Sequence, residues 1–302
     1  YEDGLGNREG GQLPPAHASP ERDVLAPRMV DNGDGEKAKA ACKYDAIDLA
    51  MTEQETELKV GAVIWATGWK PYDAAKIQPY GYDRFPNVVT NVEFERMADP
   101  HGPTGGKLLR PSDGKEATNI AFIQCAGSRD RNHLRHCSRI CCMASLKQTT
   151  YVSQEGADDA NSTIYYIDIR AIDRIDDFYR QVQDDPKVTF VKSKVANITQ
   201  NKGSGDLILH GVNTEGSQRY DNQHDLVVLA TGMEPSVHAN QIPAADLRVN
   251  PDGFLEFEAD GQAIYAAGCA SDALDVNRAV QNATASALRA IQVVNRVAAK
   301  EA

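Results

Sequence analysis

The chain holds 302 residues, 41% of them apolar and 25% charged, with a formal net charge of −11. That length supports two domains of ordinary size, and the acidic balance, with Lys and Arg scattered along the chain, argues against a nucleic-acid partner. No run reaches the ~18 apolar residues of a membrane-spanning helix, so no direct membrane span is expected. The polar opening Tyr1-Glu-Asp-Gly-Leu-Gly lacks the apolar core of a signal peptide. The first residue is Tyr1 rather than Met, which points to a longer parent protein.

In chain order, residues 1–39 are rich in Gly, Pro, Asp and Glu without periodicity and read as a loop or docking segment. A helical pattern over residues 36–50 contains Cys42, which reads as a small buried residue. Residues 58–65 (LKVGAVIW) predict a strand running into Ala66-Thr67-Gly68. Turns then surround a short helix near residues 91–98. Residues 119–124 predict a buried strand ending at Cys125, residues 137–148 a helix and residues 163–168 the next strand. A helix near 175–183 follows, with strands near 188–191, 206–210 and 226–229, the last entering Ala230-Thr231-Gly232. A strand over 263–267, the pair Gly268-Cys269 and a long helix from about Asn277 to Ala299 close the chain. The fold class is therefore α/β.

Four of the six cysteines fall within the eighteen residues CAGSRDRNHLRHCSRICC: Cys125, eleven residues, Cys137, three residues, then Cys141-Cys142. Four thiolates suit a [4Fe–4S] cube, one ligand per iron. A zinc site, which normally uses separated C-x2–4-C pairs, and buried reduced thiols are the alternatives. A disulfide between the adjacent Cys141 and Cys142 fits poorly with the bond's geometry, and the clustering suits a reducing, cytoplasmic setting. His133 and His136 lie within the loop and read as neighbours of the ligands. Arg129, Arg135 and Arg139 would offset the negative charge of a thiolate-ligated cluster. The cysteines occupy the strand-to-helix turn where a dinucleotide-binding fold carries its glycines. Asp168 ends the strand where such a fold places a ribose-binding acid, but without the glycine loop no NAD site is expected. Cys269 reads as a packing residue, since no resolving thiol partner is evident.

The repeated punctuation WATGWKP, LATGMEP and YAAGCAS resembles the two-dinucleotide-fold, thioredoxin-reductase-like flavoproteins. That resemblance makes Ala66, Thr67, Gly68, Thr231 and Gly232 domain-crossing segments near FAD. It brings Gly268, Cys269 and the start of the last helix (Asn277, Ala279, Val280, Gln281) to the flavin. The helix N-terminus would stabilise negative charge there. Cys269 stands where that group usually has an acid. The implied domains are residues 40–117, part of the FAD domain with its connection; 118–232, a nicotinamide-domain-like unit carrying the cluster; and 233–302, the C-terminal FAD-domain part. The family's first FAD-domain segment, a strand and G-x-G-x-x-G loop, has no counterpart here. Roughly the first hundred residues of the parent, with the pyrophosphate site, are expected to lie outside this chain.

The spacing Cys125…Cys137…Cys141-Cys142, in CAGSRD…HCSRICC, sharpens the match to the family of heterodisulfide reductase A subunits. Within it, VGAVIWATGWKPYDA, KIQPYGY, NVEFERMADPHGPTGGKLLRPSDGK, FIQCAGSRD, HCSRICCMASLKQT and AAGCASDALDVNRAVQNATASALRAIQVV resemble the branch of quinone-interacting membrane-bound oxidoreductases of sulfate reducers. The resemblance implies FAD and a [4Fe–4S] cluster held by Cys125, Cys137, Cys141 and Cys142. It implies three partners: adenylylsulfate reductase, a second flavin/iron–sulfur subunit, and a membrane haem b/iron–sulfur subunit. It further implies electron transfer between the menaquinone pool and adenylylsulfate reductase, from a cytoplasmic position held to the membrane through a partner. A scaffold role, with the active flavin in a partner, is the alternative. A pyridine-nucleotide disulfide oxidoreductase would need a redox C-x2-C or C-x4-C and a second glycine loop.

Overall fold

The computed structural model describes residues 11–12, 24–25, 27–52, 55–172, 174–236, 248–256 and 263–301. Most of the expected opening loop lies outside them. Two compact units divide the chain at residue 59. The first holds a short antiparallel pair, β1 (Gly11–Gln12) and β2 (Val24–Leu25), then helices α1 (Pro27–Asp31) and α2 (Asp34–Ala41). The helix expected over residues 36–50 stops at Cys42, whose backbone is extended. Cys42 is half-buried rather than buried.

The second unit is built on a five-stranded parallel sheet in the order β5 (Val88–Thr90), β12 (Leu226–Thr231), β6 (Asn119–Ala126), β7 (Asn161–Tyr166) and β8 (Val188–Lys192). The apolar runs of β6 and β12 form because both strands have neighbours on each side and are buried along nearly their whole length. The sheet reaches back ahead of residue 118 to recruit β5 and the helix α3 (Asn91–Ala98), whose start is fixed by a capping box between Thr90 and Glu93.

One face of the sheet carries α3, α4 (Ile140–Glu155) and α5 (Ile175–Gln183). Phe94 of α3 meets Phe122 of β6 edge to face, ring centroids 5.4 Å apart. Glu95 of α3 accepts hydrogen bonds from Lys147, Gln148 and Tyr151, which fixes the position of α4. Against the other face lies an antiparallel sheet of β9 (Asn197–Gln200), β10 (Leu207–Asn213) and β11 (Gln218–His224). Ile198, Leu207 and Leu209 share one core with Ile123, Val227 and Leu229.

The two segments read as domain crossings lie side by side. β4 (Trp69–Pro71) pairs antiparallel with β13 (Met233–Pro235), immediately after Gly68 and Gly232. β3 (Val63–Trp65) pairs in parallel with β14 (Ile264–Ala266), and α6 (Val276–Glu301) packs beside them. The strand expected over residues 58–65 is limited to its last three. Leu58 and Val60 are exposed, and the strand has one partner in place of two.

A buried polar network joins the two sheets. His224 Nδ1 lies 2.8 Å from Asn119 Oδ1, and its Nε2 lies 2.8 Å from the Tyr165 hydroxyl. Asn222 donates to that same hydroxyl, and Asn119 donates its amide to the Gln223 carbonyl. The set is consistent with a neutral imidazole protonated at Nδ1, with Tyr165 donating to Nε2. Burial lowers the His224 pKa from 6.5 to about 4. Between those values the unfolded chain binds the proton and the folded chain does not, so stability falls as pH drops from about 6.5 to about 4. The full difference is on the order of 3 kcal/mol. Thermal unfolding across this window should show the fall, and His224→Gln should flatten it. An unchanged slope in the variant would remove His224 as its source.

Candidate functional site

The site begins with an irregularity in β6. Leu229 of β12 pairs with Ile123 but Thr231 pairs with Ala126, so β6 takes three steps where β12 takes two. The extra residue lies at Gln124-Cys125, and Cys125 adopts φ 57. A bulge with a left-handed residue bends the strand end and re-aims its side chain, at a cost of about 1–2 kcal/mol for a non-glycine residue. It sits at the C-terminal edge of β6, between β12 and β7, on the edge of the sheet outside which open α/β folds place their ligands.

The loop that follows is closed on itself. Ser128 N–H donates to the Cys125 carbonyl, Arg129 N–H to His136, Asp130 N–H to Leu134 and Leu134 N–H to Gly127. Gly127 is required: φ is 73°, and an added Cβ would lie 2.5 Å from the Tyr72 ring. Tyr72 OH meets His133 Nδ1 at 2.9 Å. Arg139, again left-handed at φ 64, turns the chain into α4, whose first turn carries Cys141 and Cys142. The helix begins at Ile140, so Cys137 sits ahead of it rather than within it.

Cys125, Cys141 and Cys142 are buried and Cys137 is half-buried, all four as free thiols. Cys141 lies between Cys125 and Cys142, and hydrogen bonds to both, with burial, hold its pKa well above 9.0. The same bond from Cys141 lowers Cys125 to about 7, with Arg129 reinforcing the shift. Cys142 is lowered by Cys141 and then by the Arg170 N–H, while burial raises Cys137. Free N–H groups at the start of α4 favour negative sulfur in the same place.

Among the described residues, no three His, Cys, Asp or Glu side chains are arranged to hold one metal ion. A four-iron cube asks for something else, one thiolate at each of four irons. The surroundings fit such a group. Ser128 and Ser138 beside the cysteines, and Ser145 one turn along α4, have buried hydroxyls without hydrogen-bond partners.

The cysteine loop packs against the C-terminal segment. His136 Nε2 donates to the Met233 carbonyl at 2.7 Å, and its ring lies edge-on to Phe254 at 5.2 Å. Ile140 and Cys269 flank a core of Met233, Phe254 and Ala273. Arg139 pairs with Asp275 at 3.2 Å, and Asp275 accepts the Arg278 N–H to cap α6. The starts of α4 and α6 are thereby tied together.

The residues expected near FAD divide into two sets. Gly68 and Gly268 are left-handed, with open space where a Cβ would project, as close approach of a ligand requires. Around them Ala66, Thr67, Asn277, Val280 and Gln281 are exposed and Ala279 is half-buried. Gln281 donates to Asn277. Trp65 Nε1 is buried without a partner, a further donor on this side. This set fits the flavin end of FAD. Thr231 instead is engaged by Asn91 through both its N–H and hydroxyl. Gly232 is pressed by Ser128 and Leu134 of the cysteine loop. Cys269 is half-buried, and its thiol donates to the Leu274 carbonyl. The sequence pattern gives no sign of Asn91, Asp275 or Arg170, whose importance depends on which elements meet.

No protein-family model matches the chain. Its curated homologues are heterodisulfide reductase A subunits. The A subunit of ferredoxin:CoB-CoM heterodisulfide reductase of Methanosarcina mazei is 37% identical over 265 residues, 84% of this chain and 33% of that protein. The iron-sulfur A subunit of CoB–CoM heterodisulfide reductase of Methanocaldococcus jannaschii is 36% identical over 259 residues, 84% of this chain and 38% of that protein. The A subunit of H(2):CoB-CoM heterodisulfide,ferredoxin reductase of Methanothermobacter marburgensis is 34% identical over 262 residues, 82% of this chain and 39% of that protein. The chain thus spans about a third to two fifths of the length of these relatives. Similar solved structures include thioredoxin reductase of Lactococcus lactis, at 12% identity and TM-score 0.48 over 78% of this chain and 66% of that one. That of T. acidophilum gives 13% identity and TM-score 0.47 over the same shares.

The crowding at Gly232 yields a direct test. Gly232→Ala should cost on the order of 1–3 kcal/mol through overpacking against Leu134, where the new Cβ would lie 2.6 Å away. Bound iron should fall with the unfolding temperature. Loss of flavin alone, with iron and stability unchanged, would contradict the packing assignment.

Proposed function

We propose that this chain is an electron-transfer segment of an oxidoreductase subunit. In this reading Cys125, Cys137, Cys141 and Cys142 hold a [4Fe–4S] cluster. Gly68, Gly268 and the start of α6 meet the flavin end of FAD. The observation that carries it is the set of interacting free thiols at the C-terminal edge of β6, joined through Arg139–Asp275 to the start of α6. When bound, the flavin exchanges electrons in pairs or singly and the cluster singly. The chain's own residues hold the two sites in register. Phe254, Met233 and Ile140 exclude water between them, His136 fixes the loop to Met233, and Cys269 fills the packing beside Ile140. The proposed division is residues 40–117 and 233–302 for FAD and 118–232 for the cluster-bearing unit, with β5 and α3 (residues 88–98) belonging to the sheet of the latter, in a thioredoxin-reductase-like arrangement.

The homologues' names support a place in a heterodisulfide-reductase-like complex with partner subunits. The segments NVEFERMADPHGPTGGKLLRPSDGK and KIQPYGY support the finer reading, the quinone-linked branch. There the chain would work between the menaquinone pool and adenylylsulfate reductase. It would sit on the cytoplasmic side with a second flavin/iron–sulfur subunit, held by a membrane haem b/iron–sulfur subunit. Among the described residues no helix is long and apolar enough to cross a membrane.

Replacing Cys141 or Cys142 by Ala should remove about four irons per chain while sparing flavin. A full iron complement in both variants would overturn the ligand assignment. Mixing with NADH or NADPH should leave the flavin oxidised. Rapid bleaching would establish a nicotinamide-dependent enzyme instead.

A further inference from the structure

The carboxylate that a dinucleotide fold would offer to a ribose is already engaged. Asp168, just past β7, pairs with Arg129 of the cysteine loop through Oδ1 and with Arg170 through Oδ2 at 3.4 Å. Both arginines act on the cysteines. The Arg129 guanidinium reaches the Cys125 sulfur as well as Asp168, and Arg170 is the cation acting on Cys137. The backbone takes part too. Cys142 donates to the Asp168 carbonyl at 3.8 Å, and the Arg170 N–H points back at Cys142. The Arg170 Nε is buried without a hydrogen-bond partner, and the guanidinium is held through its terminal nitrogen by Asp168.

We propose that Asp168 is a positioning residue that sets the reduction potential of the group held by the four cysteines, by fixing Arg129 and Arg170 against them. This rests on the cluster reading above. A thiolate-ligated cluster is anionic and gains a further negative charge on reduction, so guanidinium groups held beside it favour the reduced form. One carboxylate shared by two guanidiniums leaves the trio with net positive charge. The acid therefore delivers cations to the sulfurs, and its own charge is more than offset. Asp168 and Arg170 are partly exposed, so the positions of these charges depend on their mutual contacts rather than on enclosure.

The sign of the effect separates positioning from simple Coulomb attraction. Removing one negative charge raises a nearby potential; releasing two cations to solvent lowers it. EPR-monitored redox titration of Asp168→Asn should move the potential of this cluster downward. The expected size is up to about tenfold in the one-electron equilibrium constant, ~59 mV. In an Arg129→Gln/Arg170→Gln background, the same Asp168→Asn change should move it upward, because only the carboxylate charge is then lost. An upward shift in both backgrounds, or no shift in either, overturns the proposal. Should Asp168→Asn retain no iron, Asp168→Glu decides: the proposal requires that iron and potential return with the carboxylate, and a Glu variant equally depleted overturns it. Absence of iron from the unaltered protein would instead remove the cluster reading itself.

Discussion

One extra residue in β6 decides where the chemistry of this chain assembles. Had β6 kept step with β12 to its end, Cys125 would have followed the ordinary alternation of a fully paired strand. The bulge and the left-handed backbone at Cys125 release it from that alternation. Gly127 then allows the loop to fold down over Tyr72, and Arg139 turns the chain so that α4 presents Cys141 and Cys142 in its first turn. Strained residues here persist because the surroundings over-determine them. The core shared by Ile123, Leu229 and the antiparallel sheet holds the strand end, and Glu95 holds α4 through three hydrogen bonds.

Electrostatics explains why sulfur is tolerated at this depth. Burial alone disfavours thiolate, and Cys137 shows that effect. The opposing contributions come first from the Cys141 thiol, then from Arg129 on Cys125 and from the N–H of Arg170 on Cys142. A second pairing, Arg139 with Asp275, carries the same charge logic outward to the cap of α6. The site and the proposed flavin end are thus connected by a hydrophobic patch and one ion pair.

Much of this was legible in the sequence. The apolar runs of β6 and β12 follow from burial on both faces, and the helices at Asn91–Ala98 and Ile175–Gln183 and the long final helix from composition and period. The polar strand β11, Gln-Arg-Tyr-Asp-Asn-Gln-His, was not legible, because an edge strand exposed along most of its length keeps little apolar signal. β4 and β13 each end in proline and exist only as a pair formed across the sequence. The four cysteines were visible as a spacing, but not the bulge that aims the first of them. Gly232 illustrates the limit best. Its strand–glycine context suggested a ligand contact, while the atoms that crowd it belong to Ser128 and Leu134, a hundred residues earlier in the chain. Asp168 stands out in the sequence by position alone, and its pairing with Arg129 gives that position its meaning.

The central claim is that the cysteine loop is an iron–sulfur site. Iron, zinc and acid-labile sulfide analysis of anaerobically purified protein, with EPR after dithionite reduction, tests it most directly. The account predicts about four irons and four sulfides for this loop and a reduced-state cluster signal. Zinc in place of iron, or thiols that react as free cysteines in metal-free protein, would contradict it.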